Sequence, residues 1–375
     1  NTIYCVRKGS PLLIGIMDNY AIITSESSGF CGSVNNYLCI DNEDLCIITK
    51  SNNKITFKSQ NNYVPKKLEK TFECLTPQPY EYWTQKEIME QPNAILRSLG
   101  LGGRIYDNYS VKLGGLDKIK NELLEIENII LLGCGTSYHS AMIGSYYLKD
   151  LCNFDTVQVF DGAEFTEKDI PKKGKTSLFL ISQSGETRDL VRCLELGKDK
   201  NLLTVGIINV VDSLIAREVS CGVYLNAGRE YAVASTKSFT SQVVVMALIS
   251  IWFAQNANIN HNKRKELINC IRRLNYDVEN TIEQTKYKAK EIAKYLIDKN
   301  SVFLLGKGTC EYYAREGSLK IKEIGYIHAE GYSSSALKHG PYSLITEGTP
   351  IILLIPNDIH YNKNLNITEE IVSRY

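Results

Sequence analysis

The run Ile129-Ile130-Leu131-Leu132-Gly133-Cys134-Gly135-Thr136-Ser137 reads as a strand, a tight turn and the start of a helix. Four apolar residues that break at glycine and resume with hydroxyl-bearing residues place the turn at the carboxyl edge of a sheet. Much of the pattern recurs as Ser301-Val302-Phe303-Leu304-Leu305-Gly306-Lys307-Gly308-Thr309, at an offset of 173 residues when the two Gly-x-Gly-Thr turns are aligned. That offset is the size of one compact domain, so the chain reads as an α/β unit used twice.

At such a turn the first N–H groups of the helix lack intrahelical partners, and the macrodipole adds roughly half a positive charge, so an anion is welcome. Thr136 and Ser137 supply two hydroxyls there. A second polar run, Ser182-Gln183-Ser184-Gly185-Glu186-Thr187, follows the apolar segment Leu178-Phe179-Leu180-Ile181 and adds Ser182, Ser184 and Thr187. Five hydroxyls converging on one pocket suit a phosphorylated sugar. A dinucleotide fingerprint needs a third glycine for close helix packing, and that position holds Tyr138 in the first copy and Glu311 in the second. The fixed P-loop spacing is absent as well. The plainer alternative is that these Ser and Thr residues only cap helices.

Composition narrows the class further. Lys+Arg 43 against Asp+Glu 42 leaves a net charge of +1, so no bulk attraction to nucleic acid or membrane is implied. The eleven cysteines include no Cys-x-x-Cys pair, which argues against a zinc ribbon or redox motif and for reduced thiols in a cytoplasmic protein. The longest apolar run, Val243 to Ala254, is too short to span a bilayer and reads as a buried helix. No metal and no cofactor are expected.

Along the chain, residues 1–75 are β-rich, with strands expected over Leu12–Ile16, Tyr20–Thr24, Tyr37–Ile40 and Leu45–Thr49, a hairpin layer too small for an independent domain. Residues 76–112 carry Pro77, Pro79 and Pro92, one amphipathic stretch from Trp83 to Met89 and a glycine cluster, and read as a linker. The first α/β unit runs over 113–256, a charged helix bridges from about His261 to Asp298, and the second unit occupies 299–375.

In the second unit, Glu316, Lys320 and Glu323 stand at i, i+4 and i+7 of one helical pattern and so share a face. An exposed ion-pair ladder would look the same, but Leu319, Ile321 and Ile324 crowd the neighbouring positions and suggest partial burial. His339, in Leu337-Lys338-His339-Gly340-Pro341, has no metal-ligand spacing with the other four histidines and reads as a proton carrier.

Taken together, Gln85 to Arg97, the Gly133 to Ser137 turn, Ser182 to Thr187, Val233-Ala234-Ser235-Thr236-Lys237, Leu319 to Glu330 and Leu337 to Pro341 resemble the glutamine:fructose-6-phosphate aminotransferase (isomerizing), or glucosamine-6-phosphate synthase, family. The resemblance covers almost the whole chain, and Arg7 to Gly15 looks like the later part of that family's glutaminase domain. It implies two doubly wound, parallel-sheet SIS (sugar isomerase) subdomains, the second incomplete, preceded by a β-rich remnant of an N-terminal-nucleophile glutaminase (type 2 amidotransferase) domain. It implies synthesis of glucosamine 6-phosphate from fructose 6-phosphate and glutamine, the first step of amino-sugar synthesis, in a homodimer or higher homo-oligomer.

By motif, Thr136, Ser137, Ser182, Gln183, Ser184 and Thr187 correspond to the family's sugar-phosphate ligands, with Val233 and Ser235 close to the sugar. Glu323 corresponds to the base that moves a proton between C1 and C2, Lys320 to its support beside Glu316, and His339 to the ring-opening histidine lent by a partner subunit. The family's nucleophilic cysteine and glutamine-binding motifs, and its C-terminal Schiff-base lysine, have no counterpart here, which reads as a fragment of a longer enzyme. Two other readings are a sugar-phosphate sensor built from two SIS units and a related deglycase; the retained Glu316, Lys320, Glu323 and His339 weaken the first, and residues 1–75 weaken the second.

Overall fold

In the computed structural model, all residues are described except 9–11, 26, 31, 69–75 and 375, with the side chains of 27, 28 and 374 also left aside. The chain divides into two compact units, Asn1–Thr76 and Pro77–Tyr375.

The first unit is two antiparallel sheets. One has the order β1-β5-β6, from β1 (Thr2–Val6), β5 (Leu45–Ser51) and β6 (Lys54–Lys58). The other has the order β3-β2-β4-β7, from β2 (Leu13–Ile16), β3 (Ala21–Thr24), β4 (Asn36–Cys39) and β7 (Lys66–Lys67). Strand alternation turns one side of each sheet inward, and Cys5, Cys46 and Ile48 meet Ile14, Leu38 and Ile40 in one core. The expected strands lie within a residue or two of these. The expected single hairpin layer is instead two packed layers, which is how so short a segment encloses a core of its own.

The second unit begins with α1 (Trp83–Met89) and α2 (Gln91–Ser98). They occupy the stretch read as a linker: α1 is the amphipathic stretch singled out in the sequence, and α2 is additional. Pro92 lies in the first turn of α2, where a missing N–H costs nothing, and Ala94 and Ile95 are fully buried. Arg97 Nη2 donates to the Ala227 carbonyl at 2.6 Å and Ser98 Oγ to the Leu225 carbonyl at 2.7 Å. The prolines and glycines here punctuate packed structure.

After the short helices α3 (Gly114–Asp117) and α4 (Lys120–Leu124) comes the first α/β copy: β8 (Asn128–Gly133), α5 (Thr136–Leu151), β9 (Thr156–Asp161), β10 (Thr176–Ser182), α6 (Arg188–Asp199), β11 (Leu203–Ile208), α7 (Leu214–Glu218) and β12 (Cys221–Tyr224). The strands form one parallel sheet in the order β12-β11-β10-β8-β9. Period-2 alternation sends Ile129, Leu131, Phe179 and Ile181 to one face, with residues of α5, and Ile130, Leu132, Leu178 and Leu180 to the other, with Leu190 and Leu194 of α6. Both faces are covered, which is why these strands read as unbroken apolar runs. The chain leaves β8 to one side for β9 and returns on the other for β10, so the adjacent carboxyl ends of β8 and β10 form a topological switch point, where α/β sheets bind ligands.

The apolar run singled out in the sequence lies in α8 (Lys237–Asn256), which is long and apolar enough to cross a membrane but has Val244 to Ala254 buried within this unit. The charged bridge is one continuous helix, α9 (His261–Leu296).

The second copy has β13 (Ser301–Gly306), α10 (Thr309–Lys320), β14 (His328–Ser333), β15 (Ile351–Leu353) and α11 (Tyr361–Arg374), with the parallel order β14-β13-β15. Its central strand and turn repeat the first copy in detail. Gly135 has φ 54 and ψ −124, and Gly308 has φ 61 and ψ −130, a region open to glycine. A Cβ on Gly133 would meet the backbone of Ser137, and one on Gly306 the backbone of Cys310.

These close approaches make a test. Gly133→Ala should destabilise the protein by about 1–3 kcal/mol through overpacking against backbone. Gly114→Ala, where a Cβ would meet nothing within 4 Å, should be neutral or stabilising by less than about 1 kcal/mol. Thermal melts of the two variants decide it; equal midpoints would refute the packing argument.

Candidate functional site

At the carboxyl end of β10, Ser182 Oγ accepts from the Gly185 N–H at 3.0 Å and lies 3.2 Å from Thr187 Oγ1, while Ser184 Oγ accepts from the Glu186 N–H at 3.2 Å. Gly185 has φ +66, and a side chain there would collide with Ser213. Thr187 stands at the N-cap position of α6 without a side-chain capping bond, so the unpaired N–H groups of that helix open onto these hydroxyls. Gln183, Ser184 and Thr187 are half-buried and reachable.

The β8 turn is organised differently from the simple convergence expected. Ser137 Oγ accepts from Gln242 Nε2 of α8 at 2.9 Å, and Gln242 Oε1 accepts from Ser140 Oγ at 2.7 Å. Thr136 Oγ1 donates to Glu316 Oε1 at 3.0 Å and accepts from Lys320 Nζ at 2.9 Å. The first copy's turn is thus tied by its own side chain to the second copy's helix.

Glu316, Lys320 and Glu323 are therefore no exposed ladder. Glu316 is buried, and Lys320 Nζ reaches its Oε1 at 3.3 Å and Glu323 Oε2 at 2.7 Å. Beyond Lys320 the helix widens into a π turn, Ile321–Gly325, closed by Tyr326 in the left-handed region at φ 54. Single π turns concentrate at functional sites. Glu323 sits within this one, partly exposed, and among the described residues its Oε1 accepts no hydrogen bond. A carboxylate with one oxygen held by an ammonium and the other free is a usable general base.

Val233 is 94% exposed, whereas Ala234 beside it is buried and Ser235 is half-buried. Their loop is gripped from α1 and α2. Glu87 Oε1 accepts from the backbone N–H groups of Tyr231 and Ala232 at 2.6 and 3.2 Å, and Lys237 Nζ pairs with Glu90 Oε2 at 2.6 Å. Burial pushes the Glu87 carboxyl above its ordinary range, against the pull of those two donors. Glu230 holds the start of α8 through the Thr236 N–H at 2.8 Å and Ser238 Oγ at 2.6 Å.

His339 stands apart, exposed in a 3-10 turn, Ala336–His339, past the end of β14, and hydrogen-bonds none of Thr136, Glu316, Lys320 or Glu323. Five site residues were missed in the sequence: Glu87, Glu90, Glu230, Gln242 and His139, whose Nδ1 lies 2.7 Å from Glu316 Oε2. Only His139 left a local signal, standing three residues after Thr136 on the same face of α5. Among the described residues, no group of three or more His, Cys, Asp and Glu is arranged to hold a metal ion.

The second copy does not repeat the pocket. Strand register pairs Leu132 with Leu180 and Leu305 with Leu353, so Ser182-Gln183-Ser184-Gly185 corresponds to Ile355-Pro356-Asn357-Asp358. The His360 ring also lies against the face of Gly308 where a Cβ would project.

The model of the SIS domain matches residues 122–251 and 295–371, more than half of the chain and one segment over each copy. The chain belongs to the SIS domain family. Among curated relatives, it is 44% identical over 374 residues to the probable glutamine--fructose-6-phosphate aminotransferase [isomerizing] of Acanthamoeba polyphaga mimivirus, covering 99% of this chain and 61% of that protein. It is 35% identical over 376 residues to the glutamine--fructose-6-phosphate aminotransferase [isomerizing] of Chlorobaculum tepidum, covering 99% of this chain and 60% of that one. The chain thus spans about 60% of the length of these relatives. The C-terminal domain of glucosamine-fructose-6-phosphate aminotransferase from Francisella tularensis aligns with a TM-score of 0.74 at 30% identity, over 80% of this chain and 83% of that one.

The buried ion cluster should dominate local stability. Glu316→Ala strands the Lys320 ammonium with part of its compensation gone, and should lower stability by about 2–4 kcal/mol. Lys322→Ala, exposed on the same π turn, should stay within about 0.5 kcal/mol. Chemical denaturation of both measures the contrast, and a loss below about 1 kcal/mol for Glu316→Ala would return the cluster to surface status.

Proposed function

We propose that this chain carries the sugar-phosphate isomerising part of a glutamine:fructose-6-phosphate aminotransferase, whose complete form makes glucosamine 6-phosphate and glutamate from fructose 6-phosphate and glutamine. The observation that carries the reading is the Lys320–Glu323 pair, which the second copy presents through Thr136 to the phosphate turn of the first. The relatives' names, matched over nearly the whole chain, support the same reaction over the deglycase and sensor readings.

The phosphate sits at the N-termini of α5 and α6, taking hydrogen bonds from Ser182, Ser184 and Thr187 and from the backbone at Gln183, with Val233 and Ser235 against the sugar. Moving a carbonyl from C2 to C1 requires one group to take a proton from one carbon and return it to its neighbour. Glu323 does this, with Lys320 holding Oε2 so that Oε1 meets the substrate. His339 opens the sugar ring in a neighbouring subunit of a homo-oligomer, which accounts for an exposed histidine detached from its own chain's cluster. Glutamine is handled by a domain of which Asn1–Thr76 is the later part, and the reaction runs in the cytoplasm.

Two measurements test this. Ser184→Ala and Thr187→Ala should each weaken fructose 6-phosphate binding by about 1.5–3 kcal/mol, the value of a charge-assisted hydrogen bond; wild-type affinity in the double variant, by calorimetric titration, removes the pocket. In the enzyme encoded by the full reading frame, Glu323→Gln should leave sugar-phosphate affinity nearly intact and cut glucosamine 6-phosphate formation at least about a hundredfold. Normal turnover by that variant would deny Glu323 its role.

A further inference from the structure

We infer that His139 is a positioning residue for the isomerisation: by occupying one oxygen of Glu316, it leaves Lys320 to hold Glu323. The inference rests on the isomerase reading above and adds to it a residue on the opposite copy.

Glu316 has three neighbours for two oxygens. Its Oε1 takes Thr136 Oγ1 at 3.0 Å and Lys320 Nζ at 3.3 Å, and its Oε2 lies 2.7 Å from His139 Nδ1. Lys320 is closer to Glu323, at 2.7 Å, than to Glu316. The ammonium thus stands between two carboxylates and leans toward the outer one. A buried carboxylate oxygen without a donor is costly, so removing the His139 donor gives Glu316 reason to turn both oxygens to Lys320. That draws Nζ inward and frees Glu323 Oε2. Thr136 and His139 stand at i and i+3 of α5, so one helix face supplies both restraints on Glu316. His139 is itself 14% exposed in its side chain, and its ring lies beside that of Tyr138.

Three substitutions separate positioning from bulk. His139→Phe keeps a ring of similar size and removes the donor, His139→Asn places an amide N–H near the position of Nδ1, and Glu316→Gln removes the charge being held. In the enzyme of the full reading frame, His139→Phe should lower kcat about tenfold to a hundredfold, the scale for a misplaced catalytic group, with KM for fructose 6-phosphate within about threefold. His139→Asn should recover kcat to within about threefold of wild type. Because both residues act through Lys320, the double variant His139→Phe, Glu316→Gln should lose little more than the worse single one. Normal turnover by His139→Phe, or equal impairment of the Asn and Phe variants, overturns the inference.

Failure of the wild-type enzyme to form glucosamine 6-phosphate would overturn the functional reading instead. A crystal structure of the 375-residue chain with His139→Phe tests the geometry without activity. It should show Lys320 Nζ shifted from Glu323 to Glu316; an unchanged Lys320–Glu323 pair counts against the inference whatever the assay shows.

Discussion

One ammonium group holds the candidate site together. Lys320 Nζ reaches Thr136 of the first copy, Glu316 on its own helix and Glu323 in the π turn, at 2.9, 3.3 and 2.7 Å. A charge this secluded persists only with compensation, and two carboxylates and a hydroxyl supply it. The arrangement fixes three things together: the approach of α10 to α5, the identity of the residue at the start of α5, and the direction of the Glu323 carboxylate. Local stability and the geometry of the candidate site share one set of contacts.

The two copies share one turn and differ in what surrounds it. Both keep the glycines that let a helix N-terminus approach its strand, with matching φ and ψ at Gly135 and Gly308. The first retains the hydroxyl run after its third strand. The second replaces that run with Ile355-Pro356-Asn357-Asp358 and covers Gly308 with His360. It contributes instead the helix that carries Glu316, Lys320 and Glu323.

What was legible in the sequence was local. The Gly133 to Ser137 turn, the Ser182 to Thr187 run, the duplication, the buried apolar helix and the charged bridging helix all depend on residues close together in the chain, where periodicity and turn chemistry speak directly. The unread parts join distant positions: Gln242 with Ser137 across 105 residues, His139 with Glu316 across 177, Glu87 with Tyr231 across 144. Residues 76–112 were misread for a related reason. Prolines and glycines mark where a chain turns, but Ile95 is buried by partners on α8 and α9 that no local pattern names.

The π turn at Ile321–Gly325 has a geometric consequence. A π turn closes on the fifth residue where an α turn closes on the fourth, so it holds one residue more than the turn it replaces. Loss of one codon there would let α10 continue as regular helix, relieve the left-handed Tyr326, and swing whichever carboxylate remained through about a quarter of a revolution away from Lys320. The corresponding helix of the first copy, α5, runs regularly for 16 residues. The irregularity therefore belongs to the copy that carries Glu316, Lys320 and Glu323.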